Sequence, residues 1–159
     1  GWGYAKGLLA HERTGLAGIS RSIVALENLK KQASSVKRGN GSLMDEPTFK
    51  LKLAELEADL MAVEYTELRS LANAASGKEP GPESSILKLK GTEIQQRLQR
   101  LTMEAGGIYS SAWGMSNVGP SFARSGMSGY LSSRAFTIYG GASEVQKDVV
   151  AKNVLGLKK

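Results

Sequence analysis

From Gly3 to Val36 the apolar residues Ala5, Leu9, Leu16, Ile19, Ile23, Leu26 and Ala33 recur at spacings of three, four or seven. That rhythm predicts an amphipathic helix of many turns. One stripe position is a carboxylate, Glu12, between Leu9 and Leu16. Gly7, Gly15 and Gly18 each weaken the helix by about 1 kcal/mol relative to Ala and let another backbone or a flat ligand come close. Ser34-Ser35 and the run from Lys37 to Ser42 break the pattern and read as a loop. A second helix is expected from Asp45 or Glu46. Asp45 would cap its first N–H groups and Pro47 suits its first turn. Phe49, Leu53, Leu56, Leu60, Val63, Leu68, Leu71 and Ala75 form its stripe. After the stiff connector Lys78-Glu-Pro-Gly-Pro82, a third helix runs from Glu83 to about Ala105, with Leu87, Ile94, Leu98, Leu101, Ala105 and Ile108 inward.

Tyr109 to Gly126 is a long loop, punctuated by Ser, Gly, Asn and Pro. A short fourth helix follows, from about Met127 to Phe136. Ile138-Tyr-Gly-Gly-Ala-Ser-Glu-Val-Gln146 reads as a tight turn feeding a fifth helix to about Val154, with Val145, Val149 and Val150 inward. No stretch alternates at period two, and nothing repeats. The pattern predicts an all-α, up-and-down bundle of the four-helix type, with three long helices and two shorter C-terminal ones.

Composition narrows the function classes. The 159 residues carry 41% hydrophobic and 23% charged residues, the values of a single globular domain. With no cysteine, disulfide frameworks and zinc–thiolate sites are excluded. No apolar run is long enough to span a membrane, and the N-terminus has no signal-peptide pattern, so a cytoplasmic location is expected. The net charge of +6 is scattered rather than blocked. It fits a solvated surface first, a phosphate-bearing ligand second and nucleic acid last, since aromatics make up only 6%. The chain begins without Met and already in helical rhythm, as a piece of a longer protein would.

Familiar catalytic constellations are absent. A single histidine, His11, cannot build a multi-histidine metal site. Glu12 stands out because a carboxylate on an apolar stripe is partly desolvated, which raises its pKa toward that of a general base. A carboxylate neutralised by an arginine or by helix N–H groups fits the same position. The glycine turn ahead of the fifth helix has the form of an anion site, a form most helix N-termini share without binding anything.

Four stretches, in order, resemble the C-terminal helical domain of acyl-CoA dehydrogenases, chiefly the bacterial ones. They are Leu9-Ala-His-Glu-Arg-Thr-Gly-Leu-Ala-Gly18, Leu43-Met-Asp-Glu-Pro-Thr-Phe49, Pro80-Gly-Pro-Glu-Ser-Ser-Ile-Leu-Lys-Leu89, and Ile138 to Gln146 with Val154-Leu-Gly-Leu157. The resemblance implies an FAD-dependent oxidoreductase that converts an acyl-CoA to its 2,3-enoyl-CoA and hands electrons to an electron-transfer flavoprotein. It implies a homo- or hetero-oligomer, dimer or tetramer, and a longer protein with an N-terminal helical domain and a middle β-domain. The isolated domain is then expected to be inactive. Many members place the catalytic glutamate directly after the tyrosine of the final loop, where this chain has Gly140. A smaller set places it on the first long helix before an arginine, which matches Glu12 and Arg13 as the catalytic pair. The final loop, Gly141, Ala142, Ser143 and Glu144, would lie on the flavin's adenosine side. Gly106-Gly107 matches the family's Gly-Gly loop near the flavin. The family's Arg-x-x-Phe-Gly stretch, which reaches a neighbouring subunit's flavin, is not recognisable between Ala33 and Ser42; Arg38 is its substitute. These departures also fit a non-catalytic helical assembly module in a hetero-oligomer. An acyl-CoA oxidase is a third reading.

Overall fold

The computed structural model describes residues 1, 4, 17–77, 81–113 and 118–157. The first helix of the bundle, α1, spans Ile19–Ser35. Gly18 precedes it in the left-handed region, at φ 58°, so the long first helix expected from periodicity is interrupted there. At the break, Gln95 Nε2 donates to the Ala17 carbonyl at 2.9 Å. Ser22 Oγ donates to the Gly18 carbonyl at 2.9 Å.

The expected loop after α1 is a minimal antiparallel hairpin, β1 (Lys37–Arg38) and β2 (Gly41–Ser42). Gly39 takes φ 54° at the first position of the turn. Asp45 does not cap the second helix as expected. Its carboxylate accepts from both the N–H and the hydroxyl of Ser42, each at 2.8 Å, and closes a capping box around a 3-10 turn, Leu43–Asp45. Those bonds hold the Asp45 carboxyl below the ordinary carboxylate range. Helix α2 (Pro47–Ala75) then starts with Pro47 at its first position.

Helix α3 (Glu83–Gly106) is the centre of the molecule. It contacts α1 and α2 on one side. On the other it contacts α4 (Gly126–Ser132), the 3-10 turn Ser133–Thr137 and α5 (Ser143–Asn153). Lys52 pairs with Glu104 at 2.8 Å and Asp59 with Arg97, so α2 and α3 run antiparallel. These exposed pairs fix register more than stability, at roughly 0.2–1 kcal/mol each.

Leu26, Leu29, Phe49, Leu53, Leu56, Leu87, Ile94 and Leu98 meet in one core. The predicted stripe is buried at Ile19, Leu26 and Ala33 on α1 and from Leu87 to Ala105 on α3, with three corrections. On α2 burial ends at Val63, and Leu68 and Leu71 are 54% and 56% exposed. Ile108, expected on the α3 stripe, is 83% exposed because Gly107, at φ 56°, has already ended the helix. On α5 the inward residue is Gln146, fully buried, while Val145 is exposed. Among the described residues no helix is long and apolar enough to cross a membrane.

Candidate functional site

The residues expected to meet the cofactor divide into two groups at opposite ends of α3. The first surrounds the helix C-terminus. There a cavity of about 380 Å³ opens between Ser35–Arg38 on one wall and Ala105–Tyr109 on the other, with Phe122 beneath. Gly106 and Gly107 play different parts. A Cβ on Gly106 would strike the Ser110 hydroxyl and Ala123, so this glycine is needed for packing. A Cβ on Gly107 would meet nothing, so its backbone borders open space. Arg38 lies on the cavity wall, about half exposed, with its Nε 3.7 Å from Glu46 Oε1. Lys37 beside it adds a second cation. The pocket can therefore take a group that combines a flat apolar part with negative charge.

The second group surrounds the N-terminal half of α3. Gly140 and Gly141 take φ 65° and 98°, values that L side chains adopt only with strain. The turn they make delivers Ala142 to the N-cap of α5. Ser143 Oγ donates to the Thr137 carbonyl at 3.4 Å, and Glu144 is exposed in the first turn. Lys88, wholly buried on α3, donates from Nζ to the Gly141 carbonyl at 2.8 Å. Burial pushes the Lys88 ammonium's pKa down, and the charge of Glu144 opposes part of that shift. Gln146 lies directly beneath the turn, its Nε2 where a Cβ on Gly141 would be. Among the described residues neither polar atom of its buried amide has a partner. An orphaned donor and acceptor each cost about 1–3 kcal/mol, so this end of the molecule is suited to a polar partner from outside. Both ends thus fit parts of the dinucleotide that the resemblance implies.

About 27 Å of helix separates Lys88 from Gly106. Within one chain the structure does not bring Arg38, Gly106 and Gly107 together with Gly141, Ala142, Ser143 and Glu144. The expected catalytic pair, Glu12 and Arg13, lies outside the described residues, as does His11.

Sequence reasoning missed Lys88 and Gln146. The signal for Lys88 was a second α3 face of small and polar residues, Ser84, Lys88, Gly91 and Gln95, spaced by three and four beside the leucine stripe. That face is closed because Gly91 admits the backbone of Ala17. For Gln146 no local signal exists, since valines flank it on two faces of a short helix.

Comparison with known proteins gives the family. The model of the family described as acyl-CoA dehydrogenase, C-terminal domain, matches residues 1–155. The chain is similar to the acyl-CoA dehydrogenase IpdE1 of Mycolicibacterium smegmatis, at 29% identity over 157 residues, covering 99% of this chain and 37% of that protein. It is similar to the acyl-CoA dehydrogenase FadE26 of Mycobacterium tuberculosis, at 26% identity over 163 residues, covering 99% of this chain and 40% of that protein. Among solved structures, the ChsE4–ChsE5 complex from Mycobacterium tuberculosis matches with a TM-score of 0.80 and 28% identity, covering 100% of this chain and 41% of the matched one. The chain spans about two fifths of the length of these relatives.

Proposed function

Because the chain belongs to the acyl-CoA dehydrogenase C-terminal domain family, we propose that it is the C-terminal helical domain of an FAD-dependent dehydrogenase acting on an acyl-CoA. The remaining domains, on this reading, lie in the same longer protein. The single observation that carries it is the division of flavin-side residues between the two ends of α3. About 27 Å of helix apart, they suit one cofactor shared by two copies, or by a copy and a related subunit. One chain offers the final loop and α5, and its neighbour offers Arg38 and the Gly107 cavity.

Bound FAD would supply the hydride acceptor for oxidation at the β-carbon. This chain's residues do the remaining work. Arg38 and Lys37 hold negative charge at the cavity mouth. The N–H groups at the start of α5 and the Gln146 amide meet polar groups of the dinucleotide. Glu12 takes the α-proton, and Arg13 beside it orients the glutamate or the thioester. Gly140 cannot be a base, and its φ of 65° would strain a glutamate placed there by about 1–2 kcal/mol. An electron-transfer flavoprotein is the electron-accepting partner of this reading.

The test is made in the full-length protein. Glu12→Gln should abolish turnover while flavin absorbance stays, and unchanged turnover removes Glu12 from the role. Arg38→Ala should lower the flavin content, and full retention of flavin removes the shared-site arrangement. The isolated 159-residue chain should purify colourless and without activity; a yellow preparation would contradict that.

A further inference from the structure

Lys88 is the one ionisable side chain among the described residues that is fully buried, and neither the base chemistry nor the Arg38 cavity accounts for it. A lysine so placed is costly, because taking the ammonium out of water disfavours its charged form. Its Nζ reaches 53 residues along the chain to a single loop atom, the Gly141 carbonyl, at 2.8 Å. We propose that Lys88 is a positioning residue for the final loop: by holding the Gly141 carbonyl toward α3 it aims the Ala142 N–H the other way, out of the α5 N-terminus. The inference rests on the flavin-side reading of that loop.

The geometry follows from the peptide plane. In a trans peptide the carbonyl of Gly141 and the N–H of Ala142 point in opposite directions. Gly141 has no side chain to prefer one orientation of this plane over its flip. Its φ of 98° lies in a region open mainly to glycine. The Lys88 bond removes the ambiguity. Ala142 N–H then joins the N–H groups of Ser143, Glu144 and Val145, which the helix itself leaves without carbonyl partners. Four donors at the positive end of α5 thus face one way. Gln146 closes the turn from beneath, where a Cβ on Gly141 would sit. An apolar residue at position 88 would pack without the burial penalty but would leave the peptide free to turn.

The experiment compares the isotope-labelled chain with Lys88→Met, which keeps length and loses the donor. Amide exchange at Gln146, whose N–H donates to the Ala142 carbonyl at 3.0 Å across this turn, should rise about tenfold on loss of a charge-assisted bond, while the amides of Leu53 to Leu60 in the core keep their rates. Unchanged loop exchange would overturn the proposal. So would a parallel rise at every amide, which would make Lys88 a general stabiliser of the fold. Should the variant fail to fold, the wild-type chain decides. A slowly exchanging Lys88 ammonium signal with through-bond coupling to the Gly141 carbonyl carbon supports the proposal, and a freely exchanging one refutes it. Titration with ADP separates the underlying reading. ADP shifts at Ala142–Glu144 that vanish in Lys88→Met support both. A loop loosened in the variant while ADP shifts neither protein supports the Lys88 role and sinks the flavin-side reading.

Discussion

Gly91→Ala should destabilise the chain, although alanine is the better helix former. Gly91 is in the interior of α3, where replacing glycine at an exposed site gains about 1 kcal/mol. Here a Cβ would sit 2.7 Å from Ala17 Cα and 2.9 Å from its carbonyl carbon, and closer still to its oxygen. These are backbone atoms, so no flexible side-chain end can swing aside. Relief requires the segment at Ala17 to move off α3 by several tenths of an ångström. Overpacking of this kind costs about 1–3 kcal/mol. The same movement stretches the bond from Gln95 Nε2 to the Ala17 carbonyl, now 2.9 Å, a further loss of about 1 kcal/mol. Set against the propensity gain, the net loss is about 1–3 kcal/mol. For a chain of this size that lowers Tm by roughly 2–12 °C. Urea unfolding measures it as a lower midpoint at unchanged slope. A variant as stable as the parent, or more so, would refute the close approach of Ala17 to α3 and with it the explanation for the buried small-residue face.

The α2 stripe offers an internal comparison: Leu56→Ala, at 0% exposure, should cost about 2–5 kcal/mol, whereas Leu71→Ala, at 56% exposure, should cost well under half of that. Equal losses in urea unfolding would show that the core reaches past Val63. The Ser42–Asp45 capping box makes a pH prediction. The Asp45 pKa is lowered in the folded state, first by the Ser42 N–H and then by its hydroxyl. Its stabilising contribution is therefore full above the ordinary value of 3.8 and is lost as pH falls through the lowered one. Asp45→Asn should be less stable than the parent at neutral pH, with the gap closing on acidification. A gap independent of pH would remove the charge from the cap.

How much was legible in the sequence follows from which interactions are local. The periodicity of α1, α2 and α3 located their core faces because residues such as Leu26, Leu56 and Leu98 recur at helical spacing within their own stripes, and amphipathic burial is what makes such helices form. The family resemblance and the Gly140-Gly141 turn were equally open to reading, since a two-glycine turn before a helix is a short-range signal. Other features depended on surfaces that no single stretch contains. Leu68 and Leu71 continue the α2 rhythm, yet among the described residues no second surface covers them. Periodicity belongs to one helix, whereas burial needs two. Val145 and Gln146 compete for the inner face of an eleven-residue helix, and the turn at Gly141 decided for Gln146 by leaving the space beneath it. Lys88 reads locally as a surface lysine. Only the central position of α3, with neighbours on both sides, buries it and gives it the Gly141 carbonyl. The sequence alone determined the helices, their order and the family they resemble. The tertiary structure decided which polar groups are enclosed and that the two groups of residues expected to meet a cofactor lie at opposite ends of one helix, because those outcomes depend on contacts between residues more than fifty positions apart.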